Sequence, residues 1–352
     1  MTQAGSPHPR DVLLVGSVPL GTTEKVFDVV TESVGPYLRR MPDGETGKRA
    51  YWITSQAYVL AKHPLFMPAG HDWDPESGTV PETGAPKYHV RPGVAAADIA
   101  IPRFGYADAA RESYALFKQW KAAGKIDRRT RFQVSLPTPI AFIVGLVDPA
   151  SQAIAAPAFE RRIAEELEEV LRAIPHADLA IQWDVCVEIF IWEGIRTPYF
   201  ADARGGCIDR LIEVGNMVPP DVELGYHLCY GDFRHKHSVE PKDTAIMVEM
   251  TNRVVAGLKR PPTWFHLPVP RERNDDAYFR PLQDLKLPAE TELYLGLVHF
   301  TDGAPGALDR MHAASKYVGR FGLSTECGLG RRPPETIPAL LRIHADLAAR
   351  DT

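Results

Sequence analysis

The amino-acid sequence predicts a single (β/α)8 barrel, a ring of parallel strands surrounded by helices. Short apolar runs recur along the chain and alternate with segments of helical periodicity, which is the pattern of a parallel sheet. Several runs are apolar throughout, as expected of strands that are buried on both faces. A chain of 352 residues with 45% hydrophobic content can bury one large core, and barrels often reach this length as one domain.

Eight of the apolar runs are predicted as the barrel strands. Helices are predicted where apolar residues recur every three or four positions opposite a charged face. An open, doubly wound sheet is the alternative, but residues 14–19 lack the glycine-rich fingerprint that follows the first strand of a dinucleotide-binding fold. The predicted strands are residues 12–15, 37–40, 131–135, 179–183, 222–227, 263–267, 292–298 and 321–325, and the clearest helices are 107–122, 158–174, 243–258, 307–318 and 335–349.

A segment of different composition separates the second and third predicted strands. Residues 68–75 are rich in Pro, Gly, His and Asp, so about 60–119 is interpreted as a long insertion after strand 2 that ends in a helix. The single domain is predicted to cover 1–352. Long loops in compact domains are usually functional or mobile, and both a lid over the active site and a surface decoration remain open.

Composition argues against several functions. The net charge of −5 and the lack of a basic stripe argue against a nucleic-acid partner. The N-terminus does not resemble a secretory signal and no apolar stretch is long enough to span a bilayer, so a cytoplasmic protein without a membrane partner is expected.

The four cysteines do not make a disulfide framework in a chain this long. Cys186 and Cys207 are expected to be ordinary packing or surface residues, and no particular oligomeric state is predicted.

Polar, thiol and glycine residues recur at the carboxyl ends of the predicted strands, where barrel enzymes carry their chemistry. One such coincidence means little, but their recurrence around the ring predicts a single pocket rimmed by these groups. The residues concerned are Gly16, Ser17, Glu45, Asp184, His227, Cys229, His266, His299, Asp302 and Cys327.

A metal site is predicted at two of these strand ends. His227 and Cys229 are two residues apart on an extended segment, so their side chains point to the same side and can reach one ion. Cys327, brought close by barrel closure, would add a third ligand. This ligand set suits zinc, and three protein ligands with an open fourth position is the catalytic pattern. His235 and His237 could extend the site, although a solvated or anion-binding loop is the preferred interpretation.

Five short motifs follow one another along the chain. They are Val15-Gly16-Ser17-Val18-Pro19, Gly44-Glu45, Ile181-Gln182-Trp183-Asp184, His227-Leu228-Cys229-Tyr230 and Cys327-Gly328-Leu329. In residue type and order they resemble the catalytic barrel of the cobalamin-independent methionine synthases, within the superfamily that includes uroporphyrinogen decarboxylase. The resemblance spans nearly the whole chain and is to the short, core-type members.

The resemblance implies a metal-dependent methyl or alkyl transferase that acts on a small thiol or amino-acid-like substrate. Zinc is the implied metal, with iron as the other candidate, and a methyl-folate is a candidate methyl donor. The implied roles are metal ligation by His227, Cys229 and Cys327, substrate contact by Gly16, Ser17, Glu45 and Asp184, and catalysis by His299 as a proton donor and by Asp302. A salt bridge or cap is the alternative for both Glu45 and Asp184, and a turn role is the alternative for Asp302.

Departures from the family pattern keep other functions open. The glutamate that ligates zinc in the family is absent from residues 266–271, where His266 is the nearest replacement and Glu272 lies past the strand. The family's Asp-Glu-Pro is Asp184-Val185-Cys186 here. A divergent metal-dependent lyase or oxygen-using enzyme on the same barrel is therefore the alternative function. A non-catalytic binder that has lost the metal is the third, and the retained histidine and cysteines argue against it.

Overall fold

Seven parallel strands form one curled sheet in the computed structural model, which describes residues 11–70, 86–232 and 236–350. Each strand is hydrogen-bonded to the next along the sheet in parallel register, and helices lie on the connections between them, as parallel pairing requires. The strands in sheet order are β1 (Arg40–Pro42), β4 (Arg131–Pro137), β5 (Leu179–Val185), β6 (Glu223–Leu228), β7 (Trp264–Pro268), β8 (Glu292–Gly296) and β9 (Gly322–Leu323), while β2 (Phe66–Pro68) and β3 (Tyr88–Val90) form a separate antiparallel pair.

Some of the helices begin at a residue whose side chain caps the first turn. The Thr22 side chain accepts a hydrogen bond from the N–H of Lys25 at the first of them, and Asp148 caps α5 just before Pro149. Among the described residues, no helix is long and apolar enough to cross a membrane. The helices are α1 (Thr23–Val34), α2 (Ala57–Ala61), α3 (Tyr106–Ala122), α4 (Pro139–Leu146), α5 (Pro149–Ala173), α6 (Val187–Trp192), α7 (Ala203–Asn216), α8 (Ala245–Gly257), α9 (Asp276–Phe279), α10 (Gly303–Ser315) and α11 (Ile337–Ala348).

The segment predicted as the first strand lies between the two ends of the sheet. Val12 forms single parallel bridges to Leu38 and to Leu323, and its N–H donates to the Tyr37 carbonyl at 2.9 Å. The Leu13 N–H donates to the Leu323 carbonyl at 2.9 Å. The barrel prediction is thus confirmed in part, as a curled parallel sheet whose ring is not closed by continuous strand pairing.

Short partners explain why this segment pairs so little. The second predicted strand starts later than expected, because Gly35–Tyr37 forms a 3-10 turn and regular pairing begins only at Arg40. Pro36 favours that turn, since its fixed φ suits the start of a helix and it has no amide hydrogen to give to a strand. β9, the partner on the other side, is only two residues long. Most other predicted strands and helices agree with the structure to within a few residues.

The segment of about 60–119 contains regular structure. β2 and β3 pair with Phe66 opposite Val90, and α3 packs against both α1 and α5. The helix at its end therefore belongs to the helical layer around the sheet. Residues 71–85 lie outside the described ranges, so the extent of an insertion and the single domain over 1–352 stay predictions.

Candidate metal centre and substrate pocket

The three sequence-predicted metal ligands converge in the structure. β6 ends at Leu228, so His227 and Cys229 flank its last residue, and Cys327 follows β9. The candidate ligand atoms of the three residues all lie within 4.8 Å of one another, and the two sulfur atoms are 3.5 Å apart. Within the described ranges, no other group of three or more His, Cys, Asp or Glu residues has this geometry.

Burial and close neighbours set the protonation of this group. Burial, with a smaller effect of the His266 charge, holds the pKa of His227 well below its usual range, so the ring is neutral. Hydrogen bonding to the Cys186 thiol and burial raise the pKa of Cys229 well above its usual range, and hydrogen bonding to Cys229 and burial do the same for Cys327. A neutral imidazole and two thiols that must lose their protons are the state from which a metal would bind.

His266 was the sequence-based candidate for a fourth ligand. It lies directly opposite His227 in the β6–β7 ladder, and the two Nδ1 atoms are 2.7 Å apart. Its Nε2 lies 2.9 Å from the carbonyl oxygen of Thr325. Both ring nitrogens of His266 are therefore occupied, and its contacts are with His227 and the backbone rather than with the two thiols.

One pocket joins the candidate ligands to the predicted substrate contacts. Its volume is about 230 Å³, and we call it the thiol pocket. Arg331 also lines it and lies 3.6 Å from the Asp232 carboxylate. The sequence-predicted residues on its wall are Gly16, Ser17, Glu45, Asp184, His227, Cys229 and Cys327.

A tight left-handed turn positions Glu45. Gly44 has a φ of 83°, and a Cβ there would lie 2.6 Å from a Val26 methyl group, so glycine is required. Glu45 itself has a φ of 47°, an uncommon conformation for a residue with a side chain, and its N–H donates to the Asp43 carboxylate at 2.9 Å. Burial, followed by the negative charge of Asp184, raises the pKa of Glu45 to about 8. Two carboxyl groups that disfavour each other's ionisation are suited to a cationic ligand.

The two predicted catalytic residues lie outside the thiol pocket. His299 lines a neighbouring cavity of about 730 Å³, which we call the charged cavity, and its Nε2 lies 2.9 Å from the Val269 carbonyl. Asp302 precedes α10 and forms an ion pair with Arg310, with an oxygen–nitrogen distance of 2.7 Å. Burial raises the pKa of Asp302, but the hydrogen bonds and charge of Arg310 outweigh it and leave the pKa below its usual range. Asp232 lines both cavities, so the two adjoin.

Solved structures show which fold this is. A B12-independent methionine synthase from Shewanella sp. W3-18-1, in complex with selenomethionine, is similar to the chain with a TM-score of 0.60 over 97% of each chain at 16% identity. A Listeria monocytogenes protein provisionally assigned as a vitamin-B12-independent methionine synthase has a TM-score of 0.56 over 98% of each chain at 14% identity. The chain has the fold of the cobalamin-independent methionine synthases. No protein-family model and no curated protein matches the chain, so the likeness is one of fold.

Within this methionine synthase fold, sequence reasoning missed a charged group beside the candidate metal centre. Glu326, next to Cys327 in the chain, lies 3.2 Å from His237 Nε2 and 3.7 Å from His299 Nδ1. Burial alone would lower the pKa of His237, but the hydrogen bond and charge of Glu326 raise it to about 9. The prediction of a solvated loop is therefore wrong for His237, whose side chain is only 8% exposed. His235 lies outside the described residues.

Sequence reasoning also treated Cys186 as an ordinary packing residue. It is buried as expected, yet it lines the thiol pocket and its thiol contributes to the raised pKa of Cys229. The register of the sheet could have revealed this neighbour, because Val185 pairs with Leu228 and the next residue on each strand is a cysteine.

Proposed function

We propose that the chain is a zinc-dependent enzyme that transfers a methyl or alkyl group to the thiol of an amino-acid-like substrate. The observation that carries this proposal is the thiol pocket, where His227, Cys229 and Cys327 lie on the same wall as the carboxyl pair Glu45 and Asp184. The methionine synthase fold supports it, and the selenomethionine held by the Shewanella protein supports an amino-acid-like ligand.

The donor set fits a zinc ion. One neutral imidazole and two thiols lie within 4.8 Å of one another, which is compatible with ligands on a single ion. Thiolate ligands favour zinc over the hard cations magnesium and calcium, and iron is the second candidate. Three protein ligands leave a position for a substrate sulfur, the arrangement typical of catalytic rather than structural zinc.

Each remaining part of the pocket has a task in this proposal. When held by the three ligands, zinc would keep a substrate thiol deprotonated near neutral pH and so supply a nucleophile that is otherwise scarce. Glu45 and Asp184 would bind the substrate ammonium group. The backbone at Gly16 and Ser17, on the same wall, would meet the carboxylate.

His299 is the proposed proton donor. The methyl carbon forms a bond to the substrate sulfur while its bond to the donor breaks, and the leaving group takes up a proton. Because His299 Nε2 donates to the Val269 carbonyl, Nδ1 is the atom that would carry this proton, and it faces Glu326. Asp302 would act on this side only through Arg310, with which it is paired.

A different metal reaction is the second candidate. In the described part of the chain, the candidate ligand group contains no carboxylate. The methionine synthases use a glutamate as an additional ligand, and this difference favours the second candidate. A lyase or oxygen-using enzyme would then hold iron at the same three residues.

The deciding experiment loads purified protein with zinc or with iron(II) and measures two activities. Methyl transfer from a methyl-folate to homocysteine and a panel of other thiols is expected with zinc, and His227→Ala should abolish it. Oxygen uptake or lyase activity with iron alone would favour the second candidate. If neither metal binds at stoichiometric level, both candidates are wrong.

A further inference from the structure

His266 occupies a central place between two ligand-bearing segments. It is fully buried on β7, between His227 on β6 and the segment after β9 that carries Cys327. On the first side its Nδ1 contacts His227 Nδ1, and on the second its Nε2 contacts the Thr325 carbonyl. The Thr325 hydroxyl in turn donates to the Cys327 carbonyl at 2.7 Å.

The direction of these hydrogen bonds follows from their partners. A carbonyl oxygen can only accept, so the hydrogen of a neutral His266 ring is on Nε2 and its Nδ1 is an acceptor. His227 Nδ1 must then be the donor of the 2.7 Å contact, which leaves the lone pair of His227 on Nε2. Both rings are almost fully buried, at 0% exposure for His266 and 2% for His227, which favours their neutral forms.

We propose that His266 is a positioning residue that holds His227 in the Nδ1–H tautomer, so that His227 Nε2 is the atom offered to the metal. Ligating histidines usually donate their other ring hydrogen to a carboxylate, a backbone carbonyl or water. Here a second histidine, His266, accepts that hydrogen, and its own orientation is fixed by the hydrogen bond to the Thr325 carbonyl. This inference rests on the proposed metal site and specifies how that site is organised.

Two consequences follow for the metal centre. His266 is not a fourth ligand, because both of its nitrogens are already engaged. It instead links the strand that carries His227 to the segment that carries Cys327, so it fixes the relative positions of two ligands that are distant in sequence.

The experiment compares His266→Gln with His266→Leu. A glutamine side chain carries one acceptor and one donor group, so it can accept from His227 and donate to Thr325, whereas leucine can do neither. The matched control is His344→Leu, which removes another fully buried histidine, one that lies on α11 and whose Nδ1 is 2.9 Å from the Leu340 carbonyl. This control reports the effect of losing a buried imidazole elsewhere in the core.

Two readouts are needed, and the first requires no metal. Nitrogen-15 NMR of the metal-free protein should show the Nδ1–H tautomer of His227 in the wild type, in His266→Gln and in His344→Leu, and a mixture of tautomers in His266→Leu. The second readout is zinc affinity by chelator competition. His266→Leu should bind zinc about 10- to 100-fold more weakly, and His266→Gln should recover most of that loss.

X-ray absorption of the zinc-loaded protein tests the alternative that His266 is itself a zinc ligand. We expect one histidine and two sulfur ligands in the wild type and in both His266 variants. Two histidines in the wild type and one in each variant would show that His266 is a ligand and would overturn the inference. An Nε2–H tautomer of His227 in the wild type would also overturn it. Failure of the wild type to bind zinc, with the tautomer result as expected, would instead reject the proposed function and leave the hydrogen-bond assignment intact.

Discussion

The thiol pocket and the charged cavity adjoin each other, yet their polar groups are organised in different ways. In the charged cavity the buried charges satisfy one another, as Glu326 does with His237 and Asp302 does with Arg310 just behind the cavity wall. In the thiol pocket two thiols lie 3.5 Å apart, and two carboxyl groups, Glu45 and Asp184, disfavour each other's ionisation. The charged cavity is lined mainly by groups in charge pairs, whereas the thiol pocket, besides its Arg331–Asp232 pair, carries groups that an ion or a cationic ligand would stabilise.

This difference helps to separate structural from functional polar residues. A buried charge that already has its partner gains little from a ligand, whereas like charges held close together raise the free energy of the site until a ligand of opposite charge binds. By this criterion we expect Asp302 to contribute mainly to the stability of the fold and the thiol pocket to contribute mainly to ligand binding. The predictions below test that division.

Removal of either thiol should have the largest effect. Cys229→Ser and Cys327→Ser should each lower bound zinc from about one per chain to almost none, because two remaining protein ligands hold zinc weakly. Cys207→Ser is the matched control, since Cys207 is fully buried on α7. Zinc content after exposure to a chelator measures the effect. Equal zinc in the two site variants and the control would contradict the ligand assignment.

Asp302→Ala should destabilise the fold while leaving the metal in place. The Arg310 side chain is only 2% exposed, so its charge would lose its partner in a buried position, and we expect a loss of about 2–4 kcal/mol in the free energy of unfolding. Asp276→Ala, which breaks an exposed pair with Lys316, should cost less than about 1 kcal/mol. Chemical denaturation measures both. Unchanged stability with lost methyl transfer would instead favour the catalytic role predicted for Asp302.

Glu45 should make ligand binding depend on pH. Its pKa of about 8 means that the carboxyl becomes increasingly ionised as the pH rises from 6 to 8, so an ammonium ligand should bind better over that range. For methionine as the probe, we expect a gain on the order of tenfold, measured by calorimetry. Glu45→Gln should bind weakly at every pH and lose the slope. Glu188→Gln is the control and should keep it, since Glu188 is a fully buried carboxyl bonded to Thr138, with a pKa raised by burial to about 7.

The His237–Glu326 pair should give a smaller, pH-dependent contribution to stability. The pKa of Glu326 lies below its usual range, because the hydrogen bond and charge of His237 outweigh burial, and that of His237 is raised to about 9. The pair therefore stabilises the fold most between about pH 4.5 and 6.5, less as the pH rises through 9, and less in acid. Glu326→Gln should cost about 1 kcal/mol at pH 6 and less at pH 9. An equal cost at both pH values would show that the two groups are not ionised as a pair.

The sequence was sufficient to predict that the seven candidate ligand and substrate-contact residues share a pocket. Strands such as β5 and β6 can be recognised as apolar runs, and parallel strands bring their carboxyl ends to the same edge of a sheet. That rule gives proximity without knowledge of side-chain conformations. The same rule explains why residues 12–15 were predicted as a full strand although they form only single bridges. An apolar run does not indicate how short its partner strands are.

Individual side-chain partners could not be predicted in this way. His237 lies outside the regular strands and helices, and no periodicity in the sequence encodes its contact with Glu326. His266 was recognised as a strand-end residue, but the choice between ligation and a hydrogen bond to His227 depends on ring orientation. These are differences of a few ångströms within a correctly predicted neighbourhood.

The bridges of Val12 also bear on the order in which the molecule is assembled. Val12 pairs with Leu38 and with Leu323, which are far apart in the sequence, so the chain must be synthesised as far as Leu323 before the second partner of Val12 exists. Contacts between such distant residues form late in folding, since the cost of closing the intervening chain comes first. Cys327 lies just beyond Leu323. The last ligand of the candidate metal centre should therefore be placed when this final pairing forms. The metal content of a preparation should then measure the fraction of molecules in which Val12 is paired with Leu323.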